Sequence, residues 1–433
     1  MIIKAIGKRT PNFINRLFVY IPFKYRHGRV YTEFEKLISE SKEWDEDELE
    51  NYVVTHFNRI FQHAKKFKLY KEKYKKSGVY DLKINCIDDI KKIPILTRKE
   101  IRNNIQEFKG FFYEKTGGTS GNPLHLYLDK NIWAREWAHY HNIWSIVDYK
   151  YTDAKFVFKR ENTKDKFIKY DFNHNEYLVN TYNMSIQNVD YFFKTLITKK
   201  VKYFHGYPSS IYDFLKFLEV NASAFQKKIL QAQIKCCFLS SETPLAHIIN
   251  YIRNVWEIDF LACYGHTEAC VLASADINNL HYSPLHTYGY IEEENNLLLG
   301  TSYHNFDMPL IRYNTDDLIR ANKYKNGVVK SFLIKEGRIL DYFFDKNELK
   351  IYYLDLFEET DGEIFNYIEH LQFYQNKKGY VTLLISQRKY KKIDVPSLLN
   401  FEKFNVDFDL IFLKEPIRTK RGKVLLKVNK LPN

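Results

Sequence analysis
Five cysteines in 433 residues, Cys86, Cys236, Cys237, Cys263 and Cys270, form no C-x-x-C pair and are odd in number. That scarcity argues against a disulfide framework or a structural zinc site, and fits thiols packed as small apolar groups in a reducing compartment. No uninterrupted apolar core precedes a small-residue cleavage site near the N-terminus, and no run of about 18 apolar residues occurs. The expected location is cytoplasmic. No zinc-finger, recognition-helix or RNA-binding signature accompanies the net charge of +13, which spreads along the whole chain, so no nucleic-acid partner is expected. No Gly-Lys-Ser/Thr follows the glycines of residues 116–121, which excludes the Walker-A form of phosphate binding.

What is present reads as a globular chain long enough for two or three domains. Hydrophobic residues make up 45% and aromatics 17%, enough for a large core and too much for long disorder. From Met1 to Val30, Lys4, Lys8, Arg9, Arg16, Lys24, Arg26 and Arg29 interleave with Phe13, Leu17, Phe18, Tyr20, Ile21 and Phe23. Such a segment either lies on an anionic membrane face or packs on its own domain, with Pro11 and Pro22 breaking any long helix. Asp45 to Lys76 carries Leu49, Val53, Phe57, Ile60, Phe61 and Ala64 at helical spacing, with a start signal at Asp45 and Glu48. Thr97 and Glu100 have capping-box spacing, and Trp133, Trp137, His141 and Trp144 mark a later helix.

From Lys155 strand and helix alternate. Strands are expected at Lys155–Phe158, Val201–Phe204, Ile234–Leu239 and Asp259–Cys263. Helices are expected over Ser185–Thr198 with Ile186, Val189, Phe193 and Leu196 on one face, from Pro208 through Leu218, and over Pro244–Trp256 with Leu245, Ile248, Ile252 and Val255 inward. This pattern predicts an α/β fold with a mostly parallel sheet, whose ligands bind beyond the carboxyl ends of the strands. His205, Ser240, Glu242, Tyr264 and Glu268 fall there. Beyond a boundary near Leu340, a hairpin at Glu369–Ser386, a helix near Pro396–Phe404 and a strand at Phe408–Leu413 predict a small α+β module.

Between Tyr113 and Leu126, the residues Thr116, Gly117, Gly118, Thr119, Ser120 and Gly121 bring hydroxyls and glycines together. Backbone N–H groups there can approach an anion closely, as a phosphate chain requires, although a flexible surface turn fits the same residues. Tyr264-Gly265-His266-Thr267-Glu268 offers an aromatic face for a base, a hydroxyl and a carboxylate suited to Mg2+, or else an ordinary turn. Asp317 can accept two hydrogen bonds from a ribose diol, or simply end a strand beside Asp316. Lys423 after Gly422, by spacing alone, is a solvated charge.

In this order the motifs resemble the adenylate-forming superfamily: TGGTSGxP at Thr116–Pro123, YGHTE at Tyr264–Glu268, PLIRYxT with its Asp at Pro309–Asp317, GRxxD at Gly337–Asp341, and GK at Gly422-Lys423. Within it the chain looks most like the branch of phenylacetate-CoA ligases and capsular polysaccharide biosynthesis proteins, through Pro94-Ile95-Leu96-Thr97, His205-Gly206-Tyr207-Pro208-Ser209 and Ser240-Ser241-Glu242. The resemblance implies a large adenylate-forming domain over residues 1–340, with a basic helical lead-in over 1–110. A small mobile α+β domain over 341–433 would carry the lysine loop and turn on a hinge near Leu340 and Asp341.

The implied chemistry has two steps: a carboxylate attacks the α-phosphate of ATP·Mg2+ to give an acyl-adenylate and pyrophosphate, and an acceptor then takes the acyl group. Thr116 to Gly121 would hold the β and γ phosphates. Tyr264 and the strand end at Ser240 to Glu242, with Ser241 in it, would flank adenine, Gly265 and His266 would belong to the cofactor site, and Asp317 would bind the ribose with Arg338 nearby. Thr267 and Glu268 would serve the α-phosphate, Glu268 also as metal ligand. Lys423 would neutralise developing charge, and His205, Gly206 and Tyr207 would meet the carboxylate substrate. The acceptor would be an amine or sugar in surface polysaccharide synthesis, with coenzyme A as the alternative. A non-catalytic binding protein is the third reading, prompted by Asn122 where a basic residue is usual, Asp316 where a glycine is usual, and Leu340 at the hinge. Peripheral contact with an anionic membrane through the N-terminus belongs to the same set of expectations.

Overall fold
The computed structural model describes residues 16–116, 123–158, 166–181, 184–336, 342–353, 363–387, 395–399, 404–419 and 422–431. Gly117 to Asn122, Arg338, Leu340 and Asp341 lie outside these, so the phosphate-loop, Arg338 and hinge expectations have no structural counterpart below.

The expected helix Asp45–Lys76 is two helices. Asp45 and Glu48 close a reciprocal capping box that starts Glu46–Ala64, and the second helix spans Lys68–Lys76. Between them Phe67 takes an extended backbone and turns inward against Phe108, with ring centroids 5.0 Å apart. The ring is partly buried against the core at this break. The capping box at Thr97 and Glu100 starts Arg98–Asn103 as expected.

A twelve-stranded sheet organises the large domain. Strands β1 (Phe112–Lys115) and β2 (His125–Leu128) form a separate hairpin around residues 116–124. The sheet contains β3 (Lys155–Phe158), β4 (Ile168–Asp171), β5 (Glu176–Val179), β6 (Tyr203–Gly206), β7 (Cys236–Ser240), β8 (Asp259–Gly265), β9 (Leu272–Ala275), β10 (Tyr282–Pro284), β11 (Gly289–Glu294), β12 (Leu297–Ser302), β13 (Tyr313–Lys323) and β14 (Val329–Glu336). Their order is β11-β12-β13-β14-β10-β9-β8-β7-β6-β3-β5-β4. Within this sheet parallel pairing is confined to β5-β3-β6-β7-β8, and its other pairs are antiparallel. The parallel strands are buried nearly throughout, as strands covered on both faces must be. Helices Gln187–Thr198, Pro208–Asn221 and Ala224–Gln233 supply core residues on this half, whereas the N-terminal helices pack against the antiparallel half through Phe57, Ile60, Phe61, Tyr290 and Phe332. The helical lead-in is therefore part of the core.

Two local expectations are corrected. Ile186, placed on the inner face of its helix, is the N-cap and 71% exposed, because the helix begins one residue later at Gln187. Val255 also faces out: after Ala246–Asn250 the chain makes a π-turn over Tyr251–Val255, which shifts the periodicity and brings Trp256 inward instead.

The small domain holds β15 (Tyr342–Phe344) paired with β16 (Lys350–Tyr352), then β17 (His370–Lys377), β18 (Tyr380–Ser386) and β19 (Asp407–Leu413). The expected hairpin is β17-β18, and β19 joins β18 in parallel. Phe343, Phe373, Leu383, Val395 and Leu399 form its own apolar core.

Candidate active site
Strands β6, β7 and β8 end side by side. Gly206 pairs with Leu239 and Ser240 with Cys263, so His205, Ser240 and Tyr264 leave the sheet at one edge. His205 Nε2 lies 3.4 Å from Ser240 Oγ. Gly206 is required sterically: a Cβ there would sit 2.6 Å from the Phe158 carbonyl oxygen on the neighbouring strand. Gly206→Ala should therefore lose about 1–3 kcal/mol in urea unfolding.

Thr116 closes the base of the glycine-rich segment. Its N–H donates to the Leu124 carbonyl at 3.0 Å and its Oγ1 accepts from Leu124 N at 2.9 Å. The hydroxyl oxygen thus helps to shape the hairpin as an acceptor.

Beyond β8 the YGHTE turn and the start of β13 bring carboxylates together. The Tyr264 hydroxyl donates to Asp317 Oδ2, and the Tyr264 ring meets Phe332 edge-on at 5.7 Å. Asp317 N–H donates to Thr315 Oγ1 at 3.2 Å, whose hydroxyl donates on to the Leu298 carbonyl at 2.8 Å. Asp316 adopts φ +66°, the left-handed region, where Asp is tolerated better than most residues; its N–H donates to Asn314 Oδ1 at 2.9 Å. A glycine would reach that conformation without strain.

Glu268 is 5% exposed. Its Oε1 accepts from Arg98 Nη2 at 3.2 Å and from the Tyr313 hydroxyl at 3.1 Å, while Oε2 lies 3.3 Å from His266 Nδ1. Arg98 also reaches Asp316, with Nε 3.5 Å from Oδ2. Burial alone would raise the Glu268 pKa, but His266 and then Arg98 outweigh it and hold the carboxyl down to about 2. Burial also opposes a charged His266; Cys270 and Glu268 beside it raise its pKa well above the usual histidine range.

Because the folded-state pKa of Glu268 is depressed, its contribution to stability is complete above the ordinary value near 4.5 and disappears as pH falls through about 2. The contribution is on the order of 3 kcal/mol. Urea unfolding of the wild type should weaken steeply over that acid window, and Glu268→Gln should flatten that part of the profile.

Arg98 and Tyr313 engage one oxygen of Glu268 and His266 faces the other. Among the described residues no group of three or more His, Cys, Asp or Glu side chains could hold a metal ion unaided, whereas Mg2+ commonly needs only one or two carboxylates beside substrate phosphates.

The small domain completes the edge. Lys423 Nζ donates to the Ser241 carbonyl and lies 5.6 Å over the Tyr207 ring. Ser241 has φ +70°, which helps turn the chain beyond β7. Glu242 joins the two domains: Oε1 accepts from Val424 N at 3.1 Å and Oε2 from Ser209 N at 3.2 Å. Burial pushes its carboxyl pKa up, against Lys423 and Ser209. The structure therefore brings Lys423, Ser241, Glu242 and Tyr207 together, and separately Tyr264, His266, Glu268 and Asp317. Thr267 is half-buried in the turn between His266 and Glu268.

Sequence reasoning missed Arg98 and Asp213. Arg98 directly follows the Pro94–Thr97 segment, which was a usable signal; Asp213 sits mid-helix with no signal at all. A cavity of about 240 Å3 between the helix Gln187–Thr198 and β4-β5, lined by Tyr170, Tyr177, Tyr191 and Lys194, includes none of the residues above.

No family model and no curated protein matches the sequence. Solved structures match in fold. A 2-hydroxyisobutyryl-CoA ligase in the postadenylation state, in complex with R3-HIB-AMP, aligns at 13% identity over 87% of this chain and 88% of that chain, with a TM-score of 0.62. The same ligase in the thioesterification state, with 2-HIB-AMP and CoA, aligns over 89% and 91% at 14% identity and a TM-score of 0.52. An acyl acid amido synthetase in complex with 2,4-DB aligns at 11% identity over 88% and 91%, with a TM-score of 0.53. The chain has the fold of the adenylate-forming ligases.

Proposed function
We propose that this protein is an ATP-dependent ligase that converts a small-molecule carboxylate to its acyl-adenylate and passes the acyl group to an acceptor. A carboxylate oxygen bonds to the α-phosphorus of ATP while the bond from that phosphorus to the bridging oxygen breaks, and pyrophosphate leaves with the electron pair. The observation that carries this reading is the position of Lys423, an ammonium group brought by the small domain to the carboxyl ends of β6 and β7, between Ser241 and Tyr207. A fixed positive charge there stabilises charge growing on the α-phosphate and transfers no proton. Asp317 and Tyr264 would meet the ribose and base, and His205 with Tyr207 the acid. Thr116 to Gly121, with Arg338, would meet the phosphates and ribose as the motif resemblance implies. Domain boundaries near residue 340 belong to the same reading.

The fold alone leaves the acceptor open. An amine or sugar in surface polysaccharide synthesis, in the cytoplasm and with the basic N-terminal segment against an anionic membrane, is the reading we favour from the sequence motifs; coenzyme A is the alternative. Carboxylate-dependent ATP–pyrophosphate exchange over a panel of amino, aryl and fatty acids tests the first step. Absence of ATP binding would favour the binding-protein reading, and a thioester formed with coenzyme A would favour the ligase alternative.

A further inference from the structure
One buried carboxylate ties the two domains together at two points. Asp213 lies within the helix Pro208–Asn221 and is nearly inaccessible. Its Oδ1 lies 2.8 Å from His370 Nε2, the first residue of β17, and its Oδ2 accepts from Arg418 Nη2. Both partners belong to the small domain, and both are buried as well.

Arg418 is also part of the turn that presents Lys423. Its Nη1 donates to the Gly422 carbonyl at 3.1 Å, it bridges Val424 across the turn, and Thr419 N–H donates to the Lys423 carbonyl at 2.8 Å. The Thr419 hydroxyl accepts from Lys423 N at 3.1 Å. Fixing the Arg418 guanidinium therefore fixes the backbone on either side of Lys423. Charge-assisted hydrogen bonds from two directions define a carboxylate geometry closely, and a desolvated pair of this kind supplies specificity more than net stability. Nearby, the His247 ring of the large domain stacks on Phe365 of the small domain at 3.5 Å.

We propose that Asp213 is a positioning residue for adenylation: by holding His370 and Arg418 together it sets the Lys423 turn against Ser241 and Tyr207. This rests on the adenylation reading above. It is consistent with the closer match to the postadenylation state of the CoA ligase, at a TM-score of 0.62, than to its thioesterification state, at 0.52. A rotation that carried β17 and the Lys423 turn away from the helix Pro208–Asn221 would part Asp213 from both partners.

Two measurements on the full chain test it. The first is a double-mutant cycle in pyrophosphate exchange with Asp213→Asn, Lys423→Ala and the pair. Asp213→Asn keeps the side-chain shape and should slow exchange about 10- to 100-fold, as displacement of a catalytic group by about 1 Å does. In the Lys423→Ala background it should cost almost nothing further, because its effect runs through that lysine. The second is a spin-label distance between Phe225→Cys, on an exposed position of the large domain, and Lys377→Cys, on an exposed position of the small one. The distance distribution should be narrow without the Asn substitution and broaden with it. An unchanged distribution overturns the proposal whatever the kinetics. A broadened distribution with additive losses in the cycle overturns the link to Lys423. If the unsubstituted protein shows no exchange with any acid, the adenylation reading fails, and the distance measurement still decides whether Asp213 holds the domains.

Discussion

Replacing Lys423 by alanine is expected to lower carboxylate-dependent ATP–pyrophosphate exchange by about 10²- to 10³-fold, the usual consequence of removing one preorganised charge from a transition state. The side chain is only partly buried, and its contacts include the Ser241 carbonyl, the face of the Tyr207 ring and the charge of Glu242. The unfolding midpoint should therefore shift little, so the loss can be assigned to chemistry. Two comparisons sharpen the result. Lys423→Arg keeps the charge on a longer, planar group and should recover only part of the rate, because a guanidinium does not reproduce the compact ammonium. Binding of ATP, followed by calorimetry, should weaken far less than the rate if the lysine acts mainly on the transition state. Exchange that survives unchanged in Lys423→Ala would remove the central support for the proposed function.

The largest effect on stability is expected at Arg312. Its guanidinium is 2% exposed, with Nε 3.0 Å from Glu292 Oε2 and Nη2 paired with Glu294 on β11. Nη1 donates to the Lys91 carbonyl at 2.9 Å and to that of Ile93. The backbone is as engaged as the side chain: Arg312 N donates to Thr301 Oγ1 at 2.9 Å, and its carbonyl accepts from Leu96 N at 3.0 Å. One residue thus joins β11, the entry to β13 and the N-terminal helical segment. Burial pushes the Glu292 pKa up even with Arg312 beside it, so removing the arginine leaves a buried carboxylate to be neutralised or exposed. Arg312→Ala should lose about 3–5 kcal/mol in urea unfolding. Arg312→Lys should rescue little, since three donors on a point charge cannot serve two carboxylates and two carbonyls. Replacing Arg312 and Glu292 together by apolar residues of similar volume should recover much of the loss.

Arg312 also shows how a motif residue can be read too narrowly. The PLIRYxT stretch drew attention for the Asp that follows it, yet its arginine packs the fold together with φ +48°. Asp316 illustrates the reverse. It is a departure from the usual glycine in the sequence, and the structure gives it a partner in Arg98 and a left-handed backbone stabilised by Asn314. Glu242 makes a contact between domains of which its place in the motif carried no sign, because Val424 lies far along the chain and its backbone N–H meets the carboxylate only with the small domain docked.

Local chemistry was enough to determine the capping boxes at Asp45 and Thr97, the alternation of strand and helix from Lys155, the β17-β18 hairpin and the gathering of His205, Ser240 and Tyr264 at one sheet edge. Each depends on residues close in sequence or on the rule that parallel strands end together. Only the tertiary structure decided the break at Phe67, the π-turn before Trp256, the antiparallel half of the sheet, and the sets Arg98–Glu268–Asp316 and Asp213–His370–Arg418. Those depend on packing and on charges that meet from distant parts of the chain. Periodicity and spacing carry no record of which buried cation will find which carboxylate.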